Sequence, residues 1–449
     1  MQTRVDLSIF KSYDIRGIYP TELNEDVAER IGRAFVEELA ADAIAVGRDM
    51  RTSSQPLFDA FARGVNARGA DVVDLGLTST DELYFSVGHY GYPGGAMITA
   101  SHNPKDYNGF KLCREQAIAL SGDTGVFAIR DRVARGRSGG DGKRGRIIAR
   151  DPLPDFVDHC LSFIDVAEIK PLTVVIDAGN GMAGLIVLAI FSRLPIKLIP
   201  LYFDLDGEFP NHPASPIEPE NMVDLQRAVR EHGADLGAAF DGDADRVFIT
   251  DERGELVGGD MVTALVAEML LRRHPGSTIL YNLICSRSVP EVIAASGGMP
   301  VRTRVGHSHI KAIMRERNAV FGGEHSGHFY FRDHYFADSG LIALLVVLDL
   351  LSREGKKVSE LLRPIDRRVR SGEINSRVAD IPGKLAQLEE RYADAREVDH
   401  LDGVTIQYDT WWCNVRPSNT EPLLRLNLEA DTPELLAQRR DELLRLIRD

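Results

Sequence analysis

The segment Asp241–Arg246 reads Asp-Gly-Asp-Ala-Asp-Arg, so that three carboxylates at alternate positions follow the apolar run Leu236–Phe240. Alternate residues of a straight strand lie about 6.6 Å apart, whereas oxygen ligands lie about 2.0 Å from Mg²⁺. The segment must therefore curl to bind one ion, and the small side chains of Gly242 and Ala244 permit a tight turn. Ligands that are all oxygen favour Mg²⁺, Mn²⁺ or Ca²⁺ over Zn²⁺.

Two other interpretations of this acidic segment remain open. An EF-hand loop requires Gly at its sixth position and a helix before it, but Arg246 stands at that position and a strand-like run precedes the segment. Glu252, at the twelfth position of such a loop, is therefore interpreted as a coincidence. The plainer alternative is a solvated acidic turn that binds no ion.

Composition limits the classes of partner. The chain has 449 residues, 44% of them hydrophobic, and a formal net charge of -14. This length predicts about three or four domains, and this charge argues against nucleic acid or an acidic membrane as the main partner. A small anionic ligand remains compatible with the sequence, because local Arg and Lys clusters suffice to bind it.

Cysteine usage and apolar runs bear on localisation. Four cysteines are scattered along the chain, at Cys113, Cys160, Cys285 and Cys413. Their spacing is not that of a zinc site or a disulfide framework, which favours the reducing cytoplasm. Residues 1–17 lack the apolar core of a signal peptide. The best apolar run, Leu341–Leu348, is too short for a membrane span of roughly 20 residues and predicts a buried helix.

Apolar, β-branched runs alternate with segments of helical periodicity, a pattern typical of α/β proteins. Strands are predicted at Ala43–Val46, Asp71–Leu75, Gly95–Thr99, Thr173–Ile176, Ile196–Leu201, Leu236–Phe240, Thr278–Leu283, Val301–Val305 and Ala319–Gly322. Helices are predicted at Pro56–Ala67, Asp81–Tyr90, Met182–Leu194 and Met222–Glu231. We therefore expect three similar αβα domains with mixed sheets.

The pattern changes beyond Pro364, where a helix at Lys384–Ala395, strands around Val404–Val415 and Leu423–Leu428, and a last helix from Pro433 predict a smaller α+β domain. A Gly- and Arg-rich stretch, Arg135–Gly145, is predicted to be an exposed connection. The predicted domains are residues 1–149, 150–253, 254–365 and 366–449, arranged around a central cleft.

Each predicted αβα domain has a polar cluster directly after its third strand. Ser101-His102-Asn103-Pro104 follows the first, the Asp segment follows the second, and Glu324–His328 follows the third. Ligands of open α/β sheets bind outside the carboxyl ends of the strands, so these loops are expected to share one cleft. Taken alone, Ser101-His102 is weak evidence of catalysis, because the Gly-x-Ser-x-Gly elbow of hydrolases is missing and an ordinary turn explains the sequence.

Four segments carry a resemblance to a known family: Thr99–Pro104, Asp241–Arg246, Gly323–His328 and Arg416–Thr420 occur in this order. They resemble the signature loops of the α-D-phosphohexomutase superfamily, most closely those of phosphomannomutase/phosphoglucomutase. With Phe10–Gly17, the resemblance covers almost the whole chain. In that family a phosphoserine transfers its phosphoryl group to a sugar phosphate, and the bisphosphorylated intermediate turns round and returns its other phosphate to the serine.

The resemblance implies a set of site residues. The implied catalytic residues are Ser101 as the phosphoserine, His102, Lys111, Arg246 and His328. Mg²⁺ would be bound by the Ser101 phosphate with Asp241, Asp243 and Asp245. The implied substrate-binding residues are Tyr13, Arg16, Gly306, His307, Glu324, Ser326, Arg416, Ser418, Asn419 and Thr420. Hexose phosphates would be the substrates, a hexose 1,6-bisphosphate the activator, and the enzyme a monomer or dimer.

Charge is the main physical problem of such a site. A phosphoserine carries about -1.5 to -2 charge, which together with three aspartates gives roughly five negative charges, offset by Mg²⁺ and Arg246. A histidine pKa near ~6.5 suits proton transfer in both directions at His102 and His328. Neighbouring cations are expected to lower the pKa of Lys111.

Two positions depart from the family pattern. His325 stands where relatives often have Met or Gln, which leaves the preference between mannose or glucose and glucosamine phosphates open. Ile284 stands where many members carry Lys before the cysteine, and Arg287 is expected to compensate for the lost substrate contact.

Other function classes have weaker support. Gly179–Gly184 fits the Gly-x-Gly-x-x-Gly pattern of NAD-dependent dehydrogenases, with Asp204 further on. Asp177, however, would place a negative charge beside the incoming pyrophosphate, so a tight strand-to-helix turn is the preferred reading. Phosphoglucosamine mutase and a sugar-phosphate binding protein without catalysis are the remaining alternatives.

Overall fold

The computed structural model describes residues 5–136, 144–418 and 423–449. Their contacts divide the chain into two compact units. The first unit comprises Met1–Val262 and Ser326–Val358, and the second comprises Thr263–His325 and Ser359–Asp449.

The first sheet of the first unit is mixed. Its strands are β1 (Ile15–Ile18), β2 (Ala43–Arg48), β3 (Asp71–Leu77), β4 (Gly94–Ile98), β5 (Tyr107–Arg114), β6 (Ile118–Ala119) and β7 (Ile147–Ala149). Helices α1 (Glu25–Leu39), α2 (Ser54–Asn66), α3 (Thr80–Tyr90) and α4 (Phe127–Arg135) accompany it. The strand order is β1-β5-β4-β2-β3-β7, with β6 beside β5. Because β2 and β4 are parallel neighbours, the loops that follow them emerge at the same edge of the sheet.

The second sheet of this unit has the order β12-β11-β10-β8-β9. Its strands are β8 (Thr173–Asp177), β9 (Lys197–Leu201), β10 (Leu236–Phe240), β11 (Val247–Thr250) and β12 (Leu256–Val257), with helices α5 (Leu153–Leu161), α6 (Ala183–Phe191) and α7 (Val223–His232). All five residues of β10 are buried. The chain reverses after β10 and returns as antiparallel β11, with Phe240 opposite Val247.

Helix α8 (Gly259–Arg273) leads into the second unit, where three parallel strands have the order β14-β13-β15. The elements here are β13 (Thr278–Asn282), α9 (Ser288–Ala295), β14 (Met299–Thr303), α10 (His307–Arg317) and β15 (Phe321–Gly323). The first unit then resumes with the antiparallel pair β16 (Phe329–Phe331) and β17 (Ala337–Asp338), and helix α11 (Gly340–Glu354). Leu341–Leu348 lies in α11 and is wholly buried, as predicted.

The rest of the second unit begins with α12 (Val358–Leu362) and contains an antiparallel sheet of order β18-β22-β21-β20-β19. Its elements are β18 (Val369–Arg377), α13 (Ile381–Arg391), β19 (Glu397–Asp399), β20 (Val404–Gln407), β21 (Trp411–Pro417), β22 (Leu423–Ala430) and α14 (Pro433–Arg448). Helix α13 begins earlier than predicted because Asp380 caps it by accepting a hydrogen bond from the Gly383 amide, and Pro382 fits the first turn.

Every predicted strand and helix overlaps an observed one, with ends displaced by a few residues. The antiparallel strands β5 and β11 were not predicted, because each follows a functional loop whose polar residues interrupt the apolar pattern. Among the described residues, no helix combines the length and apolarity that a membrane span requires.

Helices α1 and α2 pack closely through two glycines. A Cβ atom on Gly32 would lie 2.3 Å from the Phe61 carbonyl oxygen, and one on Gly64 would lie 2.0 Å from the Glu29 carbonyl oxygen. The backbones themselves are therefore in contact, and α2 in turn packs on β2, β3 and β4.

We predict that Gly64→Ala destabilises the first unit by about 3 kcal/mol, because the added methyl group meets a backbone oxygen that cannot move independently. Asp59→Ala, on the exposed face of α2, is the matched control. Urea unfolding followed by circular dichroism measures both variants. Equal midpoints for Gly64→Ala and the wild type would contradict the close packing.

Candidate active site

Ser101 lies in the loop after β4 and is 3% exposed. Its backbone is left-handed, with φ at 51°, an uncommon conformation for a residue other than Gly. The amide of Ser101 donates to Thr99 Oγ1 at 2.8 Å, and its hydroxyl Oγ donates to Asp241 Oδ2 at 2.6 Å. His102 Nδ1 lies 3.3 Å from the same Oγ. The turn thus places the Ser101 hydroxyl between the neighbouring imidazole of His102 and a carboxylate that lies 140 residues further along the chain.

The aspartate segment after β10 curls around a small volume. One oxygen of each of Asp241, Asp243 and Asp245 lies within 4.8 Å of the other two. Ala244 is left-handed, and a Cβ on Gly242 would lie 2.5 Å from the Ser101 carbonyl oxygen. Only Gly therefore allows the two loops to approach this closely.

The donor set fits a cation that prefers oxygen ligands. Oδ1 of Asp243 and Oδ1 of Asp245 are buried and accept no hydrogen bond from any residue that the structure describes. Buried carboxylate oxygens without a donor are unfavourable unless a cation binds them. The chemistry of three carboxylates matches Mg²⁺ or Mn²⁺ better than Zn²⁺.

Lys111 projects from β5 into this cluster. Its Nζ donates to Asp243 Oδ2 at 2.7 Å and to Asp245 Oδ2. Burial opposes its charge, but Asp243, Asp245 and Asp241 outweigh burial and raise the pKa of Lys111. The expectation of a lowered pKa is therefore wrong. Lys111 is a fixed cation in this structure.

The two central carboxyls differ in their protonation behaviour. Burial opposes ionisation of Asp243, yet hydrogen bonds from Lys111 and Thr80 hold its pKa below the usual value. Burial and then the charge of Asp243 raise the pKa of Asp245 to about 7. The cluster therefore retains negative charge at Asp243, the residue with two donors.

Arg246 closes the segment on the Ser101 side. Its buried guanidinium contacts Asp241 Oδ2 at 2.9 Å, Ser101 Oγ at 3.3 Å and His102 Nδ1. The charge of Arg246, followed by burial, holds the pKa of His102 well below its ordinary value. The expectation that His102 titrates near neutral pH is wrong, and His102 is a neutral imidazole that accepts a hydrogen bond.

His328 has the opposite environment. Its backbone pairs with Arg246 in an antiparallel bridge, and its Nδ1 lies 2.8 Å from Asp338 Oδ2. Burial lowers the pKa of His328, but the bond to Asp338 and the charge of Asp245 raise it above the ordinary value. His328 therefore holds a proton at Nδ1. Ser326, like His328, belongs to the first unit.

The structure adds supporting residues that the sequence interpretation missed. Thr80 Oγ1 donates to Asp243 Oδ2 at 2.5 Å, and the Thr80 amide donates to the Asp243 carbonyl at 3.1 Å. Asp338 orients His328. Arg51 contacts the Ser101 loop. Thr80 and Arg51 lie beyond strands β3 and β2, so the same strand-end rule that selected Ser101 could have found them.

Tyr13 and Arg16, predicted to contact substrate, lie in the first unit before and within β1. Arg16 donates to Asp14 Oδ2 and to Asn103 Oδ1, each at 2.5 Å. Arg16 thus contacts the tip of the Ser101 loop, while Tyr13 is partly buried.

The second unit holds Gly306, His307 and Glu324, three of the residues predicted to bind substrate. Glu324 is 2% exposed, and its Oε2 accepts hydrogen bonds from Asn282 Nδ2 and the Gly306 amide, each at 3.2 Å. Gly306 has φ at 124°, which favours glycine, and His307 begins α10. The loop between β14 and α10 is therefore fixed on the Glu324 carboxylate.

The predicted phosphate loop is partly described. Arg416 Nη2 lies 2.6 Å from Glu373 Oε2, and Arg425 Nη2 donates to Ser418 Oγ at 3.3 Å. Arg425 also contacts Glu373. Asn419 and Thr420 lie outside the described residues. Two guanidinium groups therefore flank the beginning of this loop.

Arg287 contacts the turn between β20 and β21. Its guanidinium donates to the carbonyl oxygens of Tyr408 at 2.6 Å and Asp409 at 3.1 Å, and its amide donates to Glu429 Oε1 at 3.2 Å. These contacts hold the Arg287 side chain on the turn between β20 and β21, and its compensation for the Lys missing at Ile284 stays a prediction.

The glycine-rich segment Gly179–Gly184 packs against the aspartate loop. The Met182 amide donates to the Gly242 carbonyl at 3.0 Å, and a Cβ on Gly181 would lie 2.7 Å from the same oxygen. Asp177 accepts from the Gly179 amide and contacts His212. This segment therefore supports the aspartate loop, which removes the basis for a dinucleotide site.

Four family models match the chain in order, described as phosphoglucomutase/phosphomannomutase alpha/beta/alpha domain I (residues 7–139), domain II (154–254), domain III (258–367) and C-terminal domain (373–446). The chain belongs to the phosphoglucomutase/phosphomannomutase family. It is 43% identical over 458 residues to a phosphomannomutase of Salmonella montevideo, with 98% of this chain and 99% of the relative covered.

Further comparisons agree with this membership. Phosphohexose mutases of Xanthomonas campestris pv. campestris are 42% identical over 445 residues, covering 98% of this chain and 99% of the relative. A crystal structure of a phosphoglucomutase/phosphomannomutase family protein from Burkholderia thailandensis matches with TM-score 0.91 and 35% identity, covering 98% of this chain and 97% of the other. The protein is thus a phosphotransferase of the isomerase class, a hexose phosphate mutase with the predicted α/β fold.

Two buried carboxyls lie at the start of α3, behind this phosphoglucomutase/phosphomannomutase site. Asp81 Oδ2 accepts from Ser339 Oγ at 2.6 Å and also contacts Ser79, while Glu82 accepts from Thr78. Burial raises the pKa of Asp81 to about 7 and that of Glu82 to about 8. The donors to these two carboxyls among the described residues are hydroxyl groups and a backbone amide.

We predict that Glu82 makes stability depend on pH. Burial raises its folded-state pKa to about 8 from an ordinary value of 4.5, so folded protein retains a proton that unfolded protein releases. The retained proton adds to the free energy of unfolding. This added stability is complete below the unfolded-state pKa and is lost as pH rises through the folded-state pKa, by up to about 1.4 kcal/mol per pH unit.

Urea midpoints measured between about pH 5 and pH 8 should fall less steeply for Glu82→Gln than for the wild type. Glu434→Gln, at an exposed position of α14, is the control and should keep the wild-type slope. The same slope in all three proteins would mean that Glu82 is ionised when folded.

Proposed function

We propose that this enzyme interconverts the 1-phosphates and 6-phosphates of mannose and glucose through a phosphoserine at Ser101 and a hexose 1,6-bisphosphate intermediate, in the cytoplasm and with Mg²⁺. The observation that carries the proposal is the 2.6 Å contact between Ser101 Oγ and Asp241. That contact brings the hydroxyl into the cluster formed by Asp243, Asp245 and Lys111.

Transfer exchanges one phosphorus–oxygen bond for another. A sugar hydroxyl attacks the phosphorus on Ser101 and loses its proton, the bond from phosphorus to Ser101 Oγ breaks, and Oγ regains a proton. Return of the other phosphate to Ser101 reverses these steps, so a bound hexose 1,6-bisphosphate primes the enzyme and acts as activator. Catalysis of this kind depends mainly on positioning and on offsetting charge.

Charge offset has two sources in the described residues. Lys111 and Arg246 are buried cations whose pKa values are raised by the aspartates, so both stay charged at neutral pH. Asp241, Asp243 and Asp245, with a phosphate oxygen on Ser101, would hold Mg²⁺, which when bound would stabilise negative charge on the transferring group.

Proton transfer is assigned to His328. Asp338 holds its Nδ1 proton, which leaves Nε2 as the atom that exchanges a proton with the sugar hydroxyl. Lys111 and His102 are poorer candidates, since Lys111 is fixed as a cation and His102 as a neutral acceptor. His102 instead orients Arg246.

Substrate recognition is assigned to the residues that the family resemblance implies. Glu324 and Ser326 would bind sugar hydroxyls, Gly306 and His307 would contact the sugar, and Tyr13 and Arg16 would contact the phosphosugar. Arg416, Ser418, Asn419 and Thr420 would bind the phosphate that is not transferred, because guanidinium and hydroxyl groups match phosphate oxygens.

We predict that Asp243→Asn weakens Mn²⁺ binding by roughly 100-fold or more, because it removes a charged oxygen ligand. Electron paramagnetic resonance of free Mn²⁺ measures the affinity without turnover. Glu252→Gln is the control, since Glu252 would be a ligand only in an EF-hand. Loss of binding in the control with binding retained in Asp243→Asn would overturn the assignment.

We predict that the enzyme, primed with glucose 1,6-bisphosphate and Mg²⁺, converts mannose 1-phosphate and glucose 1-phosphate, and that Ser101→Ala lowers kcat by roughly a thousandfold or more. Ser162→Ala, at an exposed serine, should retain full activity. Preference for glucosamine 1-phosphate would make the enzyme a phosphoglucosamine mutase. Full activity of Ser101→Ala would reject the phosphoserine mechanism.

A further inference from the structure

Arg51 has a fully buried side chain beneath the loop that carries Ser101. Its Nη2 donates to the carbonyl oxygens of Ser101 at 2.8 Å and Asn103 at 2.7 Å. Its Nη1 donates to those of Pro104 at 2.8 Å and Tyr107 at 3.2 Å. With Nε bound to Asp49 at 3.2 Å, all five N–H donors of the guanidinium have acceptors.

Four carbonyl dipoles directed at one point repel each other unless a cation lies there. Arg51 supplies that cation, and it thereby fixes the orientation of the peptide planes of the loop. Because a trans peptide is planar, the His102 amide N–H points away from Arg51 when the Ser101 carbonyl points toward it. The left-handed backbone of Ser101, with φ at 51°, is stabilised by this contact.

Asp49 fixes the start of the same loop. Its side chain is fully buried and accepts from the Arg51 amide at 3.1 Å and from Ser54 Oγ at 2.5 Å. Thr99 also hydrogen-bonds to Asp49, and the Thr99 hydroxyl accepts from the Ser101 amide at 2.8 Å. Arg51 and Asp49 thus hold the carbonyl and the amide of Ser101 respectively.

A second loop covers Arg51. The Phe209 ring lies 5.0 Å from the guanidinium carbon, and a Cβ on Gly207 would lie 2.7 Å from Arg51 Cα. Lys105 and Glu208 form an ion pair at 2.7 Å beside them. The Arg51 guanidinium itself is fully buried beneath this cover, so it has no direct contact with solvent.

We propose that Arg51 is a positioning residue for phosphoryl transfer: through four backbone carbonyls it sets the orientation of Ser101 and supplies a buried positive charge behind it. This inference rests on the proposed phosphoserine mechanism. Among the described residues, the hydrogen-bond partners of the Arg51 guanidinium are Asp49 and the four carbonyls, so its contact with Ser101 is made through the backbone of the loop.

Arg51→Lys and Arg48→Lys form the matched pair that tests the proposal. Lys keeps the charge but has three donors, which leaves two of the five acceptors at Arg51 unsatisfied. Arg48 is the last residue of β2, three residues before Arg51. Its guanidinium binds Asp74 at 2.6 Å and stacks on Phe58, away from the Ser101 loop. Hydrogen exchange of the peptide covering residues 99–108, thermal unfolding, kcat and KM are measured for both.

Arg51→Lys should speed amide exchange in this peptide and lower kcat by roughly tenfold or more, while KM stays within roughly twofold. Arg48→Lys should match the wild type in all these readouts. Unchanged exchange and kcat in Arg51→Lys would overturn the proposal, as would a fall in kcat that merely follows the unfolded fraction. If the wild type itself shows no turnover through a phosphoserine, the proposed function is rejected. The hydrogen-exchange comparison would still show whether Arg51 holds the backbone of the Ser101 loop.

Discussion

Negative charge concentrated in a buried space is the constraint on which this site depends. Asp241, Asp243 and Asp245 are at most 2% exposed, and Asp241 accepts a hydrogen bond from the Ser101 hydroxyl. Such carboxylates repel each other and would repel a phosphate on the serine, unless cations lie between them. Lys111 and Arg246 meet this requirement in part, and a divalent cation would meet the rest.

The fold brings these charges together through the ends of its strands. The loops that carry Ser101 and Arg51 follow neighbouring parallel strands, and the aspartate loop follows a buried strand of the second sheet. Contact between the Ser101 loop and the aspartate loop then requires Gly242, where a side chain would strike the Ser101 carbonyl. The site therefore depends on glycine at position 242, because no side chain is small enough to fit between the two loops.

The sequence predicted those parts of the site and fold that depend on residues close together in the chain. The curled aspartate segment, the loop at Ser101 and the buried helix at Leu341–Leu348 each follow from residue types at short spacing. Arg51 lies at a strand end that the same rule could have selected, but its contact with the Ser101 loop, 50 residues away, and that of Asp338 with His328 arise only in the folded chain.

Ionisation states could not be predicted from sequence. The pKa shifts of Lys111 and His102 were expected in the wrong direction or not at all, since they depend on which charge lies nearest. Asp243 and Asp245 surround Lys111, whereas Arg246 lies against His102. Side-chain contacts could not be predicted from sequence either, since the Arg287 guanidinium donates to the Tyr408 carbonyl in the turn between β20 and β21.

The central claim is that Ser101 carries the phosphoryl group during turnover. The most direct measurement incubates the protein with glucose 1,6-bisphosphate and Mg²⁺, maps phosphorylation by peptide mass spectrometry, and then adds excess glucose 1-phosphate. The account predicts phosphate on the peptide containing Ser101 and its transfer to sugar in the chase. Turnover without phosphate on that peptide, or phosphate that persists through the chase, would contradict it.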